Sequence, residues 1–197
     1  MHQLHGFLVG VSRWAVWAGG LALLISAFIV TVDVFMRKFF SITMSGSDEI
    51  SGYVFAASTT WAYSYCLLNR ANVRIDALYN FLPRPVRAVL DVVGVTLLLG
   101  YMGVLTERAT GVFQESWANG SVSVTTLQTP LWIPQLLWLA GLYLFMLTLV
   151  FVTITALVGL LKGDLDRVQM TAGVRSLEDE IKGETHGMGA KFKTGEV

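Results

Sequence analysis

The fold is decided by residues 116–161, which read SWANGSVSVTTLQTPLWIPQLLWLAGLYLFMLTLVFVTITALVGLL and contain no charged side chain in 46 positions. A helix that crosses the hydrocarbon core of a bilayer needs about 20 predominantly apolar residues. The rest of the chain has the same character, since 54% of its 197 residues are hydrophobic and only 14% are charged. The sequence therefore predicts an all-α integral membrane protein.

Working outward from this run, three further stretches have the length and composition of a membrane span. Of these, the second span is the least apolar because it is rich in Ala, Ser, Thr and aromatic residues. Pro130 suits the start of the last helix, where its missing N–H would be unpaired anyway. We predict four transmembrane helices, at about residues 14–36, 50–69, 88–107 and 131–161.

The spans divide the chain into a membrane domain, residues 14–161, and two flanking segments. Residues 1–13 form a short N-terminus, and residues 162–197 form a charged, glycine-containing tail. We expect this tail to be mostly disordered, with one short amphipathic helix that uses Val174, Leu177 and Ile181. Residues 107–129, rich in Ser, Thr, Gly and Asn, read as a long polar loop.

The distribution of Lys and Arg predicts the orientation. The N-terminus, the loop between the second and third spans, and the tail carry 11 of these residues, whereas the opposite side carries only three, Arg37, Lys38 and Arg108. Positive charge accumulates in the cytoplasm. Both termini are therefore expected to be cytoplasmic.

Several function classes are excluded by residue type. A net charge of zero provides no basic surface for nucleic acid. Cys66 is the single cysteine, and His2, His5 and His186 all lie outside the spans, so neither a thiolate cluster nor haem ligation inside the bundle is expected. We predict no catalytic residue, no cofactor and no metal ion, and hence a protein that is not an enzyme.

A stripe of small residues marks a candidate partner interface. Residues spaced four apart share one face of a helix, and small side chains there let a second backbone approach closely in lipid. Packing within the chain's own bundle and docking against a larger membrane partner are both compatible with this stripe. Its members on the second span are Gly52, Ala56, Thr60 and Ser64.

Charged and polar residues gather where the first two spans meet. Asp33 and Arg37 stand four apart and can pair along one helix face. Ser47 is expected to cap the second span, with Asp48 and Glu49 complementing the dipole of its first turn. A charge pair with a partner protein is the alternative use of this turn.

The order and spacing of these features resemble a known family, the small membrane subunit of TRAP (tripartite ATP-independent periplasmic) transporters. The likeness covers about residues 14–161. The matching positions are Arg37 at the end of the first span, Asp48 and Glu49 at the start of the second, Arg74 and Asp76 in the run Val73-Arg74-Ile75-Asp76, and residues 130–134 before the fourth. Two positions depart from the family pattern: Lys38 stands in place of an aromatic residue, and Asn72 in place of a histidine.

The resemblance implies a non-catalytic subunit of a sodium-coupled, binding-protein-dependent secondary transporter for organic acids. Its partners would be a large membrane subunit, which it scaffolds, and a periplasmic substrate-binding protein, and its location the bacterial inner membrane. The charged motif residues would then be structural or would contact a partner. The polar segment 107–129 could touch the binding protein or act as a plain connector.

Two other classes remain open at this stage. One is a free-standing four-span protein that forms a homo-oligomeric channel. The other is a membrane anchor for another complex, with the cytoplasmic tail as its docking element.

Overall fold

The computed structural model describes residues 2–70 and 82–173, and the regular structure in these ranges is helical. This confirms the prediction of an all-helical protein. Outside the helices, the described residues form a single isolated bridge, between Val122 and Pro130. The helices are α1 (His2–Phe40), α2 (Ser47–Leu68), α3 (Arg84–Ala118), α4 (Trp132–Leu161) and α5 (Leu165–Ala172).

Three of these helices are long and apolar enough to cross a membrane, namely α1 from His5 onward, α3 and α4. The protein is therefore a multi-pass membrane protein. The predicted second span corresponds to α2, whose 22 residues rise about 33 Å. Its serines and threonines make it less apolar than the other three.

The helix α1 runs without a break from His2 into the first span, and the division at residue 13 between an N-terminus and the membrane domain stays a prediction. One predicted loop, 107–129, begins later than expected. Residues 107–118 are not a loop, because α3 continues to Ala118. This extension is stabilised by packing: Ala109 and Ser116 are buried, and Trp117 meets the ring of Trp132 on α4 edge to face at 5.0 Å.

The four long helices pack in an open row rather than a closed bundle. The neighbours in this row are α1 with α2, α2 with α4, and α4 with α3. Burial is greater for an inner helix than for the outer ones. In the most apolar 18-residue stretch of each helix, 44% of the residues are buried in α4, against 28% in α3 and 11% in α1. The inner helices of the row are therefore α2 and α4, and α1 and α3 form its edges.

Small residues allow the central helices to approach closely. A side chain at Gly141 of α4 would overlap Thr60 and Trp61 of α2. The Trp61 indole N–H donates to the Leu137 carbonyl at 2.8 Å, which satisfies the polar atom of this ring. Contact between α2 and α4 thus depends on the absence of a Cβ at one position.

The helix α5 turns back onto the bundle. Gly163, with a φ of +70°, reverses the chain after α4, and Val168 is then fully buried against Gly159. Arg70, just beyond α2, donates to the Gln169 carbonyl at 3.2 Å. The sequence did not predict α5, and the tail helix predicted at 174–181 lies outside the described residues.

Candidate functional site

Polar groups concentrate at the end of the row that carries the connecting segments 41–46 and 119–131, here called the loop end. The opposite end, with the start of α1, the start of α3 and α5, is called the tail end. Two carboxylates organise the loop end, Asp33 near the end of α1 and Glu49 in the first turn of α2. Each carboxylate fixes a different connecting segment.

Asp33 is almost fully buried, with 1% of its surface exposed, and it accepts four hydrogen bonds. Its Oδ1 accepts from the backbone N–H of Met44 at 2.5 Å and from the hydroxyl of Thr43 at 3.4 Å. Its Oδ2 accepts from the hydroxyl of Ser47 at 3.0 Å and from Arg37 Nη2 at 2.6 Å. One carboxylate therefore joins α1, the segment 41–46 and the first residue of α2.

The predicted pairing of Asp33 with Arg37 is confirmed. The predicted capping role of Ser47 is wrong. The N-cap of α2 is Gly46, which adopts a left-handed conformation with a φ of 104°, and no side-chain hydrogen bond caps the helix. Since Asp33 lies within reach, the hydroxyl of Ser47 donates to that carboxylate instead of to its own helix.

Glu49 holds the segment 119–131. Its Oε1 accepts from the hydroxyl of Tyr53 at 2.7 Å, and its Oε2 accepts from the hydroxyl of Thr125. The hydrogen bonds from Thr125 and Tyr53 favour the ionised carboxylate and lower the pKa of Glu49 below its ordinary value of 4.5. Glu49 is therefore charged at neutral pH.

The segment 119–131 forms a small hairpin over this carboxylate. The N–H of Ser123 donates to the Thr129 carbonyl at 2.9 Å, and the N–H of Leu131 donates to the Ser121 carbonyl at 3.0 Å. Leu127 lies against Gly46, where a side chain would overlap it. Val124, at the tip, is fully exposed.

The four residues of the candidate interface stripe differ in their exposure. Gly52 and Ala56 are exposed, whereas Thr60 and Ser64 are buried inside the chain, Thr60 against Gly141. Only the half of the stripe nearer the loop end is free for another molecule, so its role as a partner interface stays a prediction. Asp48 is exposed, and Arg74 and Asp76 lie outside the described residues.

Two grooves were missed by sequence reasoning. An apolar groove of about 770 Å³ lies where α1 passes α2 and α4, and its lining includes Gly6, Gly10, Trp14, Ala18 and Trp61. The signal was available, because four of these positions recur at intervals of four on α1. A polar cleft of about 870 Å³ lies between α3 and α4 and is lined by residues that include Glu107, Arg108, Thr110, Glu115 and Tyr143. It was missed because 107–129 was interpreted as a loop.

Among the described residues, no group of three His, Cys, Asp or Glu side chains could hold a metal ion. The polar groups described above instead join helices and connecting segments to one another. Together with the long apolar helices, these features define the class of the protein, a multi-pass membrane protein whose buried charges organise its own fold.

Comparison with protein families identifies the group within that class. Residues 26–162 match the family described as "Tripartite ATP-independent periplasmic transporters, DctQ component". The chain belongs to this family and is the small membrane subunit of a TRAP transporter, which confirms the resemblance drawn from the sequence. Comparisons with curated proteins and with solved structures find no match.

Proposed function

We propose that this chain is a non-catalytic scaffold for the large membrane subunit of a sodium-coupled symporter that takes up organic acids. The family implies that a large membrane subunit and a binding protein complete the transporter. In this proposal the sodium ions and the carboxylate substrate bind the large subunit, and the periplasmic protein delivers the substrate. This chain keeps the static part of the large subunit in place in the bacterial inner membrane.

The open row of helices is the observation that carries this proposal. A self-contained bundle would share its seams among all four long helices, but α1 packs mainly on α2 and leaves most of its apolar surface uncovered. Small residues along α1 would let a further helix approach closely. An edge helix of this kind suits a subunit that is completed by a partner.

We further propose that α2 is a fourth membrane span and that both termini are cytoplasmic. Most of its Ser and Thr hydroxyl groups find acceptors among the described residues, although that of buried Ser64 does not, and this removes much of their cost in hydrocarbon. Ser58 donates to the Gly19 carbonyl at 3.0 Å, and Thr60 donates to the Ala57 carbonyl at 2.9 Å. The excess of Lys and Arg at the tail end supports a cytoplasmic location for that end.

Reconstitution tests the scaffold role. The large subunit, its binding protein and this chain are placed in liposomes with an inward sodium gradient, and uptake of labelled mono- and dicarboxylates is measured. Omission of this chain is expected to abolish most uptake, and its addition during reconstitution to restore it. Full uptake by the large subunit and binding protein alone would contradict the proposal, as would purification of this chain only as a homo-oligomer.

A further inference from the structure

Contacts between neighbouring helices fix which residues lie at the same height along the row. Between α1 and α2, Ser58 donates to the Gly19 carbonyl. Between α2 and α4, Thr60 donates to the Trp138 carbonyl at 3.3 Å. Between α4 and α3, the hydroxyls of Tyr143 and Thr110 lie 2.9 Å apart.

These contacts define a common register for the four helices. Gly19 of α1 lies level with Ser58 of α2, and hence with about residue 137 of α4. The ring contact between Trp132 and Trp117 then places about residue 112 of α3 at this height, and the Tyr143–Thr110 contact agrees within about one helical turn. A separate contact agrees with this register, because the ring of His5 on α1 stacks on Phe151 of α4 with centroids 5.9 Å apart. The register between α1 and α4 therefore holds from the middle of the helices to the tail end.

The uncharged stretches of the two edge helices do not lie at the same height. On α1 the stretch is 14–32, and on α3 it is 92–106. The centre of the first lies level with about residue 116 of α3, whereas the centre of the second is residue 99. At 1.5 Å per residue, the two stretches are offset by about 25 Å along the helices.

This offset is incompatible with a bilayer perpendicular to the helices. Arg13 begins the uncharged stretch of α1 on the tail side, and Glu107 ends that of α3 on the loop side, yet the register places them at one height. A perpendicular hydrocarbon slab about 30 Å thick would leave charged side chains of one edge deep inside it. Such charges are costly in the middle of a bilayer.

We infer that the chain sits obliquely in the membrane, and that its surface in contact with lipid hydrocarbon is a slanted band from 14–32 on α1 to 92–106 on α3. At most three helix spacings of 8–10 Å separate these edges, a width of up to about 27 Å. An offset of about 25 Å over this width corresponds to a tilt of about 40° or more, at the upper end of the range for membrane helices. Arg13 and other flanking charges then reach the headgroups by extending their side chains.

The slant decides what is exposed to water. The last three turns of α3, and with them the polar cleft near Thr110 and Tyr143, lie outside the hydrocarbon on the loop side. Residues 2–13 of α1 lie outside it on the tail side. The inference rests on membrane insertion alone, so it stands independently of the scaffold role and of the transported substrate.

Pairs of spin labels at equal height test the slant. In a Cys66→Ser background, single cysteines replace Leu21 and Val112, which share one height, or Phe7 and Tyr101, which share another. All four side chains are at least half exposed. The full chain is placed in lipid nanodiscs, and collision of each label with oxygen, which concentrates in hydrocarbon, is compared with collision with a water-soluble nickel chelate.

The slanted band predicts opposite results within each pair. Labels at positions 21 and 101 should collide mainly with oxygen, and labels at positions 7 and 112 several times more often with the nickel chelate. Equal profiles within both pairs would overturn the inference, since a perpendicular bilayer makes partners at one height equivalent. Infrared dichroism of the unlabelled chain in oriented bilayers gives a second reading, and a mean helix tilt near 20° would also overturn it.

Discussion

At the scale of single residues, Asp33 illustrates how a carboxylate is accommodated near the end of a membrane helix. Removing a carboxylate from water is costly unless hydrogen bonds replace its hydration. Four donors do so here, two of them from the segment 41–46. The same bonds fix the reversal between α1 and α2, so one buried charge determines how two helices are joined.

We expect Asp33→Asn to lower the melting temperature of the purified chain by several degrees. An amide in this position would lack the charge that faces Arg37 and would turn one N–H₂ group toward other donors. Asp48→Asn is the matched control, because it removes the same charge from an exposed side chain in the next helix. Thermal unfolding in detergent measures both variants, and an equal effect of the two would contradict this role of Asp33.

The hairpin 119–131 should loosen when Glu49 loses its charge. Because hydrogen bonds lower its pKa, the ionised form stabilises the folded hairpin at neutral pH, and this contribution is lost only as the pH falls through the lowered pKa. Amide hydrogen exchange in the hairpin, corrected for its intrinsic pH dependence, should therefore be constant from pH 7 to pH 5. Glu49→Gln should accelerate this exchange at pH 7, whereas Asp48→Asn should leave it unchanged.

The residue scale also shows what sequence can predict at such a site. The pair Asp33 and Arg37 follows from their spacing of four on a helix. The bonds from Met44 and Ser47 do not follow from any spacing, because they depend on the left-handed turn at Gly46 and on the conformation of 41–46. Arg74 and Asp76 were assigned by resemblance, and their role stays a prediction.

At the scale of elements, α2 is the helix whose composition is explained by its neighbours. Its serines and threonines read as a weak membrane signal, yet several are buried between α1 and α4. Polar groups that are satisfied inside the protein do not face lipid. Hydropathy along one helix therefore underestimates how well α2 fits between the other two.

Gly141→Ala is expected to separate α2 from α4 and to destabilise the chain by about 1–3 kcal/mol, the usual cost of overpacking. The new Cβ would overlap Thr60 and Trp61. Gly100→Ala is the control, since no atom lies within 4 Å of a Cβ there. The comparison of the two variants in steric-trap or denaturant unfolding isolates the contact, and equal stability would contradict it.

The effect of truncating the tail on thermal stability should depend on whether the cut is made before or after α5. A chain that ends after Gly173 keeps Val168 buried against Gly159 and is expected to unfold at the temperature of the full chain. A chain that ends after Lys162 loses a fully buried valine, a contribution of about 1.5–3 kcal/mol. Melting of both chains measures the difference, and identical behaviour would mean that α5 adds nothing to stability.

At the scale of the whole molecule, the row of helices could not be predicted from the sequence. Long apolar runs predict how many helices are available, and 131–161 agrees closely with the observed α4. The order of packing depends on contacts between distant positions, such as Gly19 with Ser58 and Gly141 with Thr60. The length of α3 was underestimated because burial of Ala109 and Ser116 against another helix outweighs their polar neighbours.

Reporter fusions should place both ends of the chain in the cytoplasm. With four crossings, a fluorescent protein fused after Gly173 should fluoresce, and alkaline phosphatase fused within the hairpin after Ser121 should be active in the periplasm. A fusion after Leu68, near the C-terminal end of α2, distinguishes a topology of four membrane crossings from one of three. If α2 does not cross, the reporter there will share the compartment of the segment 41–46 rather than that of the N-terminus.

The hairpin over Glu49 has a practical consequence for imaging. Particles in an electron micrograph are aligned by rigid mass outside the detergent micelle, and a subunit of 197 residues supplies little of it. Val124 stands fully exposed on a short hairpin tied to a helix by a carboxylate. An antibody fragment raised against this tip would inherit that rigidity and serve as a fiducial for the assembled transporter.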